Sequence, residues 1–283
     1  MPPLDEQTIL ITGSTDGLGL ELAKRLAAEG ARLVVHGRHP QRLERALTAV
    51  GGTQHRDRVH GVLADFSSLE AVRRLARDVP REFDRLDTLV NNAGIPGPDS
   101  RSESADGYEL AFAVNYLSHF LLTRELLPTL GTSAPARIVN VASIGQRPID
   151  FDDVMLERSY DGAYAQSKLA QIMFTFELAT RLEAAGETGV TVNALHPATL
   201  MDTKMVRESF GRARTTVDEG VEATLQLVAS PKLEGVSGRY FDGLGESTAN
   251  PQAYDEGARA RLWELSERLC GVEFVPERLL NGG

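Results

Sequence analysis

Tyr164 and Lys168 stand four residues apart and give this sequence its clearest indication of chemistry. Residues at that spacing share one face of a helix, so the phenol and the ammonium can point into the same space. Tyrosine has an unperturbed pKa of about 10, and a neighbouring cation lowers that pKa because it favours the phenolate. Ser143 ends a strand-like segment upstream. The tyrosine–lysine spacing alone is common on solvated helices, but together with the serine it predicts a proton-transfer centre.

A glycine-rich loop with the sequence TGSTDGLG follows the first apolar segment. Glycines let the backbone approach a pyrophosphate closely, and the N-terminus of the next helix offers free N–H groups and the positive end of its dipole. The spacing is TGxxxGxG rather than the GxGxxG fingerprint, but the loop has the required position between a strand and a helix. The residues predicted to contact a dinucleotide here are Gly13, Ser14, Thr15, Asp16, Gly17, Leu18 and Gly19.

Arg38 follows the second predicted strand, in the run His36-Gly37-Arg38, which contains no acid. An acid at this place holds the ribose 2′-hydroxyl of NAD, whereas an arginine pairs with the 2′-phosphate of NADP. The guanidinium therefore favours NADP(H). Asp16 argues in the other direction, because a carboxylate near the phosphate repels it. NADP(H) is the preferred cofactor, and NAD(H) stays open.

Short β-branched segments alternate with amphipathic ones along the whole chain. Apolar strands separated by helices indicate a parallel sheet covered on both faces. The sequence therefore predicts the α/β class: a single-domain Rossmann fold, with a doubly wound parallel sheet of about seven strands flanked by helices. A cofactor-binding half is expected over residues 1–142 and a catalytic half over 143–283. The predicted strands cover residues 8–12, 32–35, 58–63, 86–90, 136–141, 190–195 and 238–241.

Helices are expected after the glycine loop and over residues 41–50, 69–79 and 164–182. The pair Asn250-Pro251 indicates the start of the last helix, with asparagine as N-cap and proline at the first helical position. The segments 147–161 and 199–216 are polar and irregular, and we expect both to form mobile loops around the site.

The bulk composition excludes several classes of function. The 283 residues carry a formal net charge of −10, so no general attraction to nucleic acid or anionic membranes is expected. A single cysteine, Cys270, forms no intrachain disulfide and cannot build a thiolate zinc site. The histidines lack metal-site spacing, and neither a signal peptide nor an eighteen-residue apolar stretch is present. We expect a cytoplasmic protein without a metal.

Four motifs resemble the short-chain dehydrogenase/reductase superfamily: TGSTDGLG, then Asn91-Asn92-Ala93-Gly94, then Ser143, then Tyr164-x-x-x-Lys168. The retinol-dehydrogenase-like branch is the most similar. Its features here are the residues 149–153 between serine and tyrosine, Leu169-Ala170 after the lysine, and the run from Arg261 to Ser266.

The resemblance implies a role for each matching residue. Tyr164 would be the general acid/base, Lys168 would bind the nicotinamide ribose and lower the tyrosine pKa, and Ser143 would stabilise charge on the substrate oxygen. Asn115 matches the asparagine that holds a relay water near the lysine. The implied cofactor contacts also include Asp65, Phe66, Asn91, Asn92, Ala93, Gly94, Pro197, and either Thr199 or Thr203.

The resemblance implies an NADP(H)-dependent oxidoreductase that interconverts a carbonyl and an alcohol on an apolar small molecule. It also implies homodimers or homotetramers, although some family members are monomers. Two alternatives remain open at this stage: a cofactor-binding regulatory or scaffold protein, and an enzyme that reduces a C=C bond or epimerises through a transient ketone. The sequence does not identify the substrate.

Overall fold

The computed structural model describes residues 1–52 and 56–272, which contain one eight-stranded sheet in the order β3-β2-β1-β4-β5-β6-β7-β8. Neighbouring strands are parallel except β7 and β8, which are antiparallel. The strands are β1 (Thr8–Ile11), β2 (Arg32–Gly37), β3 (Val59–Leu63), β4 (Thr88–Asn91), β5 (Ala136–Val141), β6 (Val190–His196), β7 (Arg239–Asp242) and β8 (Gly245–Glu246).

Helices cover both faces of the sheet. Helices α1, α2 and α8 pack on one face, and α3, α5 and α6 pack on the other, with α9 lying outside α6. The helices are α1 (Gly17–Ala28), α2 (Pro40–Gly51), α3 (Leu69–Glu82), α4 (Leu110–Phe112), α5 (Ser118–Thr132), α6 (Ala163–Ala184), α7 (Lys204–Phe210), α8 (Val217–Ala229) and α9 (Glu256–Cys270). A π-helical turn over Ala113–Leu117 joins α4 and α5 into one continuous helix.

The central strands are buried on both sides. Every residue of β1, β4, β5 and β6 is buried, which explains why these segments read as continuous apolar runs rather than as alternating ones. The direction of strand order reverses between β1 and β4. In open parallel sheets, ligands bind in the crevice beyond the carboxyl ends of the strands at such a reversal. The glycine-rich loop leaves β1 at this point.

The structure confirms the predicted fold class. It adds helices that were not predicted from the sequence, over residues 110–132 and Val217–Ala229, and it differs in three further local features. An additional two-residue strand, β8, extends the sheet to eight strands. The segment 199–216, expected to be irregular, contains α7. The predicted start of the last helix is wrong: Asn250 caps a 3-10 turn over Pro251–Tyr254, and α9 begins at Glu256 with Asp255 as its N-cap.

The segment 147–161 has no regular structure but is anchored to the core. Ile149, Val154 and Leu156 are buried, and the main-chain carbonyl of Val154 accepts a hydrogen bond from Gln166 Nε2 at 2.9 Å. Because Gln166 lies on α6, this segment is attached to the helix that carries Tyr164 and Lys168.

Within the ranges 1–52 and 56–272, the chain has no helix that is both long enough and apolar enough to cross a membrane.

Candidate active site

The predicted proton-transfer residues meet where β5 ends and α6 begins. Ser143 lies two residues beyond β5, and Tyr164 and Lys168 occupy the first two turns of α6. The Ser143 hydroxyl hydrogen-bonds the Tyr164 phenol, and Lys168 Nζ lies 5.7 Å from the centroid of the tyrosine ring. Two donors hold the main-chain carbonyl of Ser143, namely Gln146 Nε2 at 3.0 Å and the Tyr240 hydroxyl at 3.1 Å. The serine is therefore fixed beside the phenol.

Burial dominates the electrostatics of both titrating groups. It raises the pKa of the Tyr164 phenol above its usual value, and the Ser143 hydrogen bond offsets only part of this increase. Burial also lowers the pKa of Lys168 to about 7. In the protein chain by itself burial outweighs any lowering of the tyrosine pKa, and the expected effect of Lys168 together with a bound cofactor stays a prediction. The lysine itself, only 4% exposed, is costly to keep charged.

Asn115 lies in the π-helical turn, and its side-chain amide is fully paired. Its Oδ1 accepts from Ile95 N at 2.8 Å, while Nδ2 donates to the carbonyl of Ile95 at 3.0 Å and to Ser167 Oγ at 2.9 Å. The side chain thus binds the segment after β4 to α6, next to Lys168. Both ends of its amide are thus occupied within the protein, and the implied water-holding role of Asn115 stays a prediction.

The glycine-rich loop lies directly against the residues that follow β4. A Cβ placed on Gly13 would lie 2.7 Å from Ala93 Cα, and one on Gly19 would lie 2.6 Å from the carbonyl oxygen of Gly13. Asn92 Nδ2 donates to the carbonyls of Thr12 and Gly13 at 2.8 and 3.1 Å. These contacts leave space only for glycine, and they give the loop the close backbone packing that a dinucleotide pyrophosphate needs.

Several residues predicted to contact the cofactor support the loop from inside instead. The Ser14 hydroxyl, fully buried, donates to the Ile11 carbonyl at 2.7 Å and accepts from His36 N at 3.0 Å. Leu18 and Phe66 are buried in the two hydrophobic clusters. The side chains of these three residues face the core, so only their main-chain atoms are placed to contact a cofactor, and the predicted contacts stay predictions.

Asp16 caps α1 and does not leave its N-terminus free. The carboxylate accepts a hydrogen bond from Gly17 N at 2.8 Å. A carboxylate at this position is stabilised by the helix dipole, and it competes with a phosphate for the same N–H group. Thr15 packs against Gly37, where a Cβ would meet its side chain.

A cavity of about 270 Å³ lies at the carboxyl ends of β2 and β3. Arg38 and Asp65, both predicted to contact the cofactor, line this cavity together with Arg74 on α3, and the contacts themselves stay predictions. The Asp65 carboxylate accepts from the Ser67 N–H and hydroxyl, both at 2.9 Å. Partial burial opposes its ionisation, but these bonds and the nearby Arg38 hold the pKa of Asp65 below its usual value. Asp65 therefore both shapes the turn before α3 and borders the cavity.

The two candidate threonines after β6 are both engaged within the protein. Thr199 Oγ1 hydrogen-bonds His196 Nε2 at 3.0 Å. Thr203 Oγ1 caps α7 by accepting from Val206 N, and its methyl group packs against Gly17 of the glycine-rich loop. Pro197 lies beside α8, near Gly220. Thr203 is thus the threonine that lies against the glycine-rich loop.

His36 is a site residue that sequence reasoning left as structural. Its Nδ1 accepts from Gly13 N at 3.0 Å, and its Nε2 donates to the Ala64 carbonyl at 3.0 Å. The ring also stacks on Phe66 with centroids 4.3 Å apart. One ring thus connects the glycine-rich loop, β2 and the end of β3. Its position two residues before Arg38 was the available signal.

In the part of the chain that the structure describes, no group of histidine, cysteine, aspartate or glutamate side chains could hold a metal ion.

Comparison with known proteins places this site in a family. The family model described as short chain dehydrogenase matches residues 7–213. The chain belongs to the short-chain dehydrogenase family. Retinol dehydrogenase 13 of Mus musculus is 38% identical over 95% of this chain and 85% of the relative, and retinol dehydrogenase 14 of the same organism is 40% identical over 94% and 86%. The resemblance to the retinol-dehydrogenase-like branch is confirmed.

Solved structures of other family members share the architecture of this short-chain dehydrogenase. A putative uncharacterised protein from Mycobacterium paratuberculosis is 30% identical, with a TM-score of 0.78 and coverage of 97% of both chains. A putative short-chain dehydrogenase from Shigella flexneri, complexed with NADP, is 25% identical with a TM-score of 0.70 and covers 85% of this chain and 98% of its own. The family uses nicotinamide dinucleotides, and the family match together with the retinol dehydrogenases supports an oxidoreductase that acts on an alcohol or a carbonyl.

Proposed function

We propose that this protein is an NADP(H)-dependent oxidoreductase that interconverts a carbonyl and an alcohol on an apolar small molecule, with Tyr164 as the general acid/base. The observation that carries the proposal is the contact between the Ser143 hydroxyl and the Tyr164 phenol, one helical turn before Lys168. A polar donor beside a titrating phenol is the arrangement needed to bind a substrate oxygen and exchange its proton.

Each side chain has a distinct task in this proposal. A bound nicotinamide ring would supply or accept the hydride. Tyr164 would donate its proton to the carbonyl oxygen during reduction and accept the hydroxyl proton during oxidation. Ser143 would hold that oxygen with a hydrogen bond. Lys168 would favour the phenolate by its charge, which is strongest when the surroundings exclude water.

A large apolar side chain is exposed directly beside the proposed reacting groups. Ile144, directly after Ser143, is 56% exposed, although large apolar side chains are usually covered. Both mouse relatives are named retinol dehydrogenases, and retinol is an apolar alcohol. These two observations support a retinol-like, apolar alcohol or carbonyl compound as the substrate class.

Tyr164→Phe tests the acid/base assignment. We expect turnover to fall by roughly 10²–10⁴-fold, the usual contribution of general acid–base catalysis, while the Kd for NADPH changes little. The assay follows NADPH absorbance against ketones, aldehydes and enones. Tyr160→Phe is the matched control, because that phenol hydrogen-bonds Glu109 and has no lysine four residues on. Undiminished turnover in Tyr164→Phe would overturn the proposal, and wild-type activity confined to enones would favour C=C reduction.

The choice of NADP(H) rests on the guanidinium groups around the cavity beyond β2 and β3. Arg38→Gln and Arg74→Gln should each weaken NADPH binding by about 10- to 100-fold and leave NADH binding nearly unchanged, because each removes a charged hydrogen-bond donor for the 2′-phosphate. Titration with 2′,5′-ADP isolates this contact. Arg77→Gln is the control, since Arg77 pairs with Glu70 as Arg74 does but does not line the cavity. Equal losses for NADPH and NADH would contradict the assignment.

A further inference from the structure

Lys168 is buried and hydrogen-bonded to neutral oxygens. Its Nζ donates to the main-chain carbonyl of Val141 and to Gln171 Oε1, both at 2.8 Å. Buried ammonium groups are usually paired with a carboxylate, because an unpaired buried charge is costly. Among the residues that the structure describes, no salt bridge involves Lys168. Gln171 thus stands where a counter-charge would be expected.

A histidine on a neighbouring helix fixes the orientation of the Gln171 amide. Gln171 Nε2 lies 2.9 Å from Nδ1 of His119, which is 1% exposed and lies on α5. An ammonium only donates hydrogen bonds, so the amide oxygen must face Lys168 while the amide nitrogen faces the histidine. Gln171 is therefore held at both ends and cannot rotate away from the lysine without losing a buried hydrogen bond.

We propose that Gln171 is a positioning residue for the reaction: as a neutral acceptor it holds the Lys168 ammonium in place, so that no carboxylate fixes the proton on the lysine. This inference rests on the proposed function, in which Lys168 acts on Tyr164. It adds a residue whose lack of charge matters, because a glutamate of nearly the same shape would place a carboxylate oxygen at the same distance from the ammonium.

None of the titratable side chains that face Lys168 from the surrounding elements supplies a negative charge to pair with its ammonium. Tyr164 lies on the same helix, His119 comes from α5, and His196 comes from the end of β6. All three are neutral near pH 7, since burial raises the pKa of the phenol and lowers the pKa of both imidazoles. Asp242 is an acid that acts on His196 through its charge, whereas burial is the cause of the lowered Lys168 pKa. The group at position 171 therefore decides the charge balance around the ammonium.

Direct titration of the lysine measures this role without relying on catalysis. The chain has four lysines, so a protein carrying ¹³C-labelled lysine gives four Cε signals in NMR spectra. Lys168→Met identifies the signal of the buried one. In the wild-type protein we expect that signal to titrate near pH 7, because burial lowers the pKa of Lys168.

Two substitutions should move the midpoint in opposite directions. Gln171→Glu supplies a carboxylate and should raise the Lys168 midpoint by at least about one pH unit, and Gln171→Leu removes an acceptor of the charged form and should lower it. The pH profile of kcat should shift in the same directions. Thr175→Val, one turn further along α6 and equally buried, should leave the midpoint unchanged.

The outcomes separate the two proposals. A Lys168 midpoint that is the same in Gln171→Glu, Gln171→Leu and the wild-type protein would overturn the role of Gln171. Shifts of the midpoint in the same direction for both variants would overturn it as well. Disturbed packing does not depend on the charge of the new side chain, whereas the proposed role requires opposite shifts. Full activity of Tyr164→Phe would instead overturn the proposed function and leave the titration result intact.

Discussion

At the scale of single residues, the two most important groups are buried with opposite effects on their protonation. The Tyr164 phenol is held neutral by a raised pKa, and Lys168 is brought close to losing its proton by a lowered one. Each shift arises because burial disfavours the charged form. In the protein chain by itself, the site therefore does not hold a preformed phenolate–ammonium pair. The protonation of the phenol and of the lysine changes when another charged group binds beside them.

The lowered pKa of Lys168 makes folding stability depend on pH. Between about pH 7 and pH 10.5 the unfolded chain binds the lysine proton and the folded chain does not, so the free energy of unfolding rises with pH across this window. Lys168→Met should stabilise the protein at pH 7 and below, on the order of a few kcal/mol, and the gain should shrink as pH rises. Urea unfolding at pH values from about 6 to 9.5 measures the trend.

Lys24→Met is the control for that experiment. Lys24 is exposed and paired with Glu21, so its substitution should change stability little at any pH in the window. A stability difference between Lys168→Met and the wild-type protein that does not vary with pH would contradict the buried-charge explanation.

The sequence identifies the residues whose spacing is local and misses those whose partners are distant along the chain. Tyr164 and Lys168 are four residues apart, and their proximity follows from helical geometry alone. Gln171 meets His119 across 52 positions, and His36 meets Gly13 across 23. These contacts depend on which helices and strands are neighbours, which the order of the sequence does not contain.

At the scale of secondary structure, the most constrained element is the first turn of α1. Gly19 lies in this turn, and a Cβ there would lie 2.5 Å from Asn92 Nδ2 and 2.6 Å from the main-chain oxygen of Gly13. A backbone atom cannot move aside as the end of a flexible side chain can. There is thus no space for a Cβ atom where α1 packs against the glycine-rich loop and the residues after β4.

Gly19→Ala should therefore destabilise the protein by roughly 1–3 kcal/mol, the usual cost of overpacking, and weaken binding of NADPH. Gly257→Ala is the matched control in the first turn of α9, where a Cβ would meet only Asp255 Oδ1 at 3.3 Å. That change should be neutral or stabilising, since alanine favours helix. Thermal unfolding and NADPH titration of both variants measure the difference; equal behaviour of the two would contradict the packing argument.

The central strands were predictable because they are apolar and bounded by turn residues. The short elements were not. β8 has two residues, too few to show a pattern, and α7 has seven residues within a polar segment. The start of α9 was misplaced because Asn250 and Pro251 are a good helix start chemically, but the chain uses them for a 3-10 turn before Asp255.

At the scale of the whole molecule, two hydrophobic clusters lie on opposite faces of the sheet, and α9 belongs to one of them. Trp263 is 1% exposed, and its ring stacks on Phe174 of α6 with centroids 6.0 Å apart. Arg259 of α9 pairs with Glu177 of α6 at 3.4 Å, and both side chains are about nine-tenths buried. The last described helix is therefore part of the core.

Trp263 is the only tryptophan and so reports on the docking of α9. Its fluorescence and the far-UV circular dichroism should change at the same urea concentration, because a helix in the core unfolds together with the domain. Arg259→Leu should lower the free energy of unfolding by about 1–3 kcal/mol and shift both midpoints together, because it leaves part of a buried carboxylate unpaired.

Arg261→Leu is the matched control on the same helix, since Arg261 pairs with Asp152 at the surface and should contribute less than about 1 kcal/mol. A fluorescence transition at lower urea than the loss of helical signal would show that α9 undocks first and would contradict this arrangement.

Helix α6 divides its tasks along its length. Its 22 residues span about 33 Å, with Tyr164 and Lys168 in the first two turns and the anchors Phe174 and Glu177 in its later turns. The contacts that keep α6 and α9 together therefore lie away from the reacting groups. Substitutions in the loops around the first turns can change which molecule the site accepts without disturbing those anchors. The later turns of α6 thus preserve the fold, while the loops around its first turns can give the protein a new specificity.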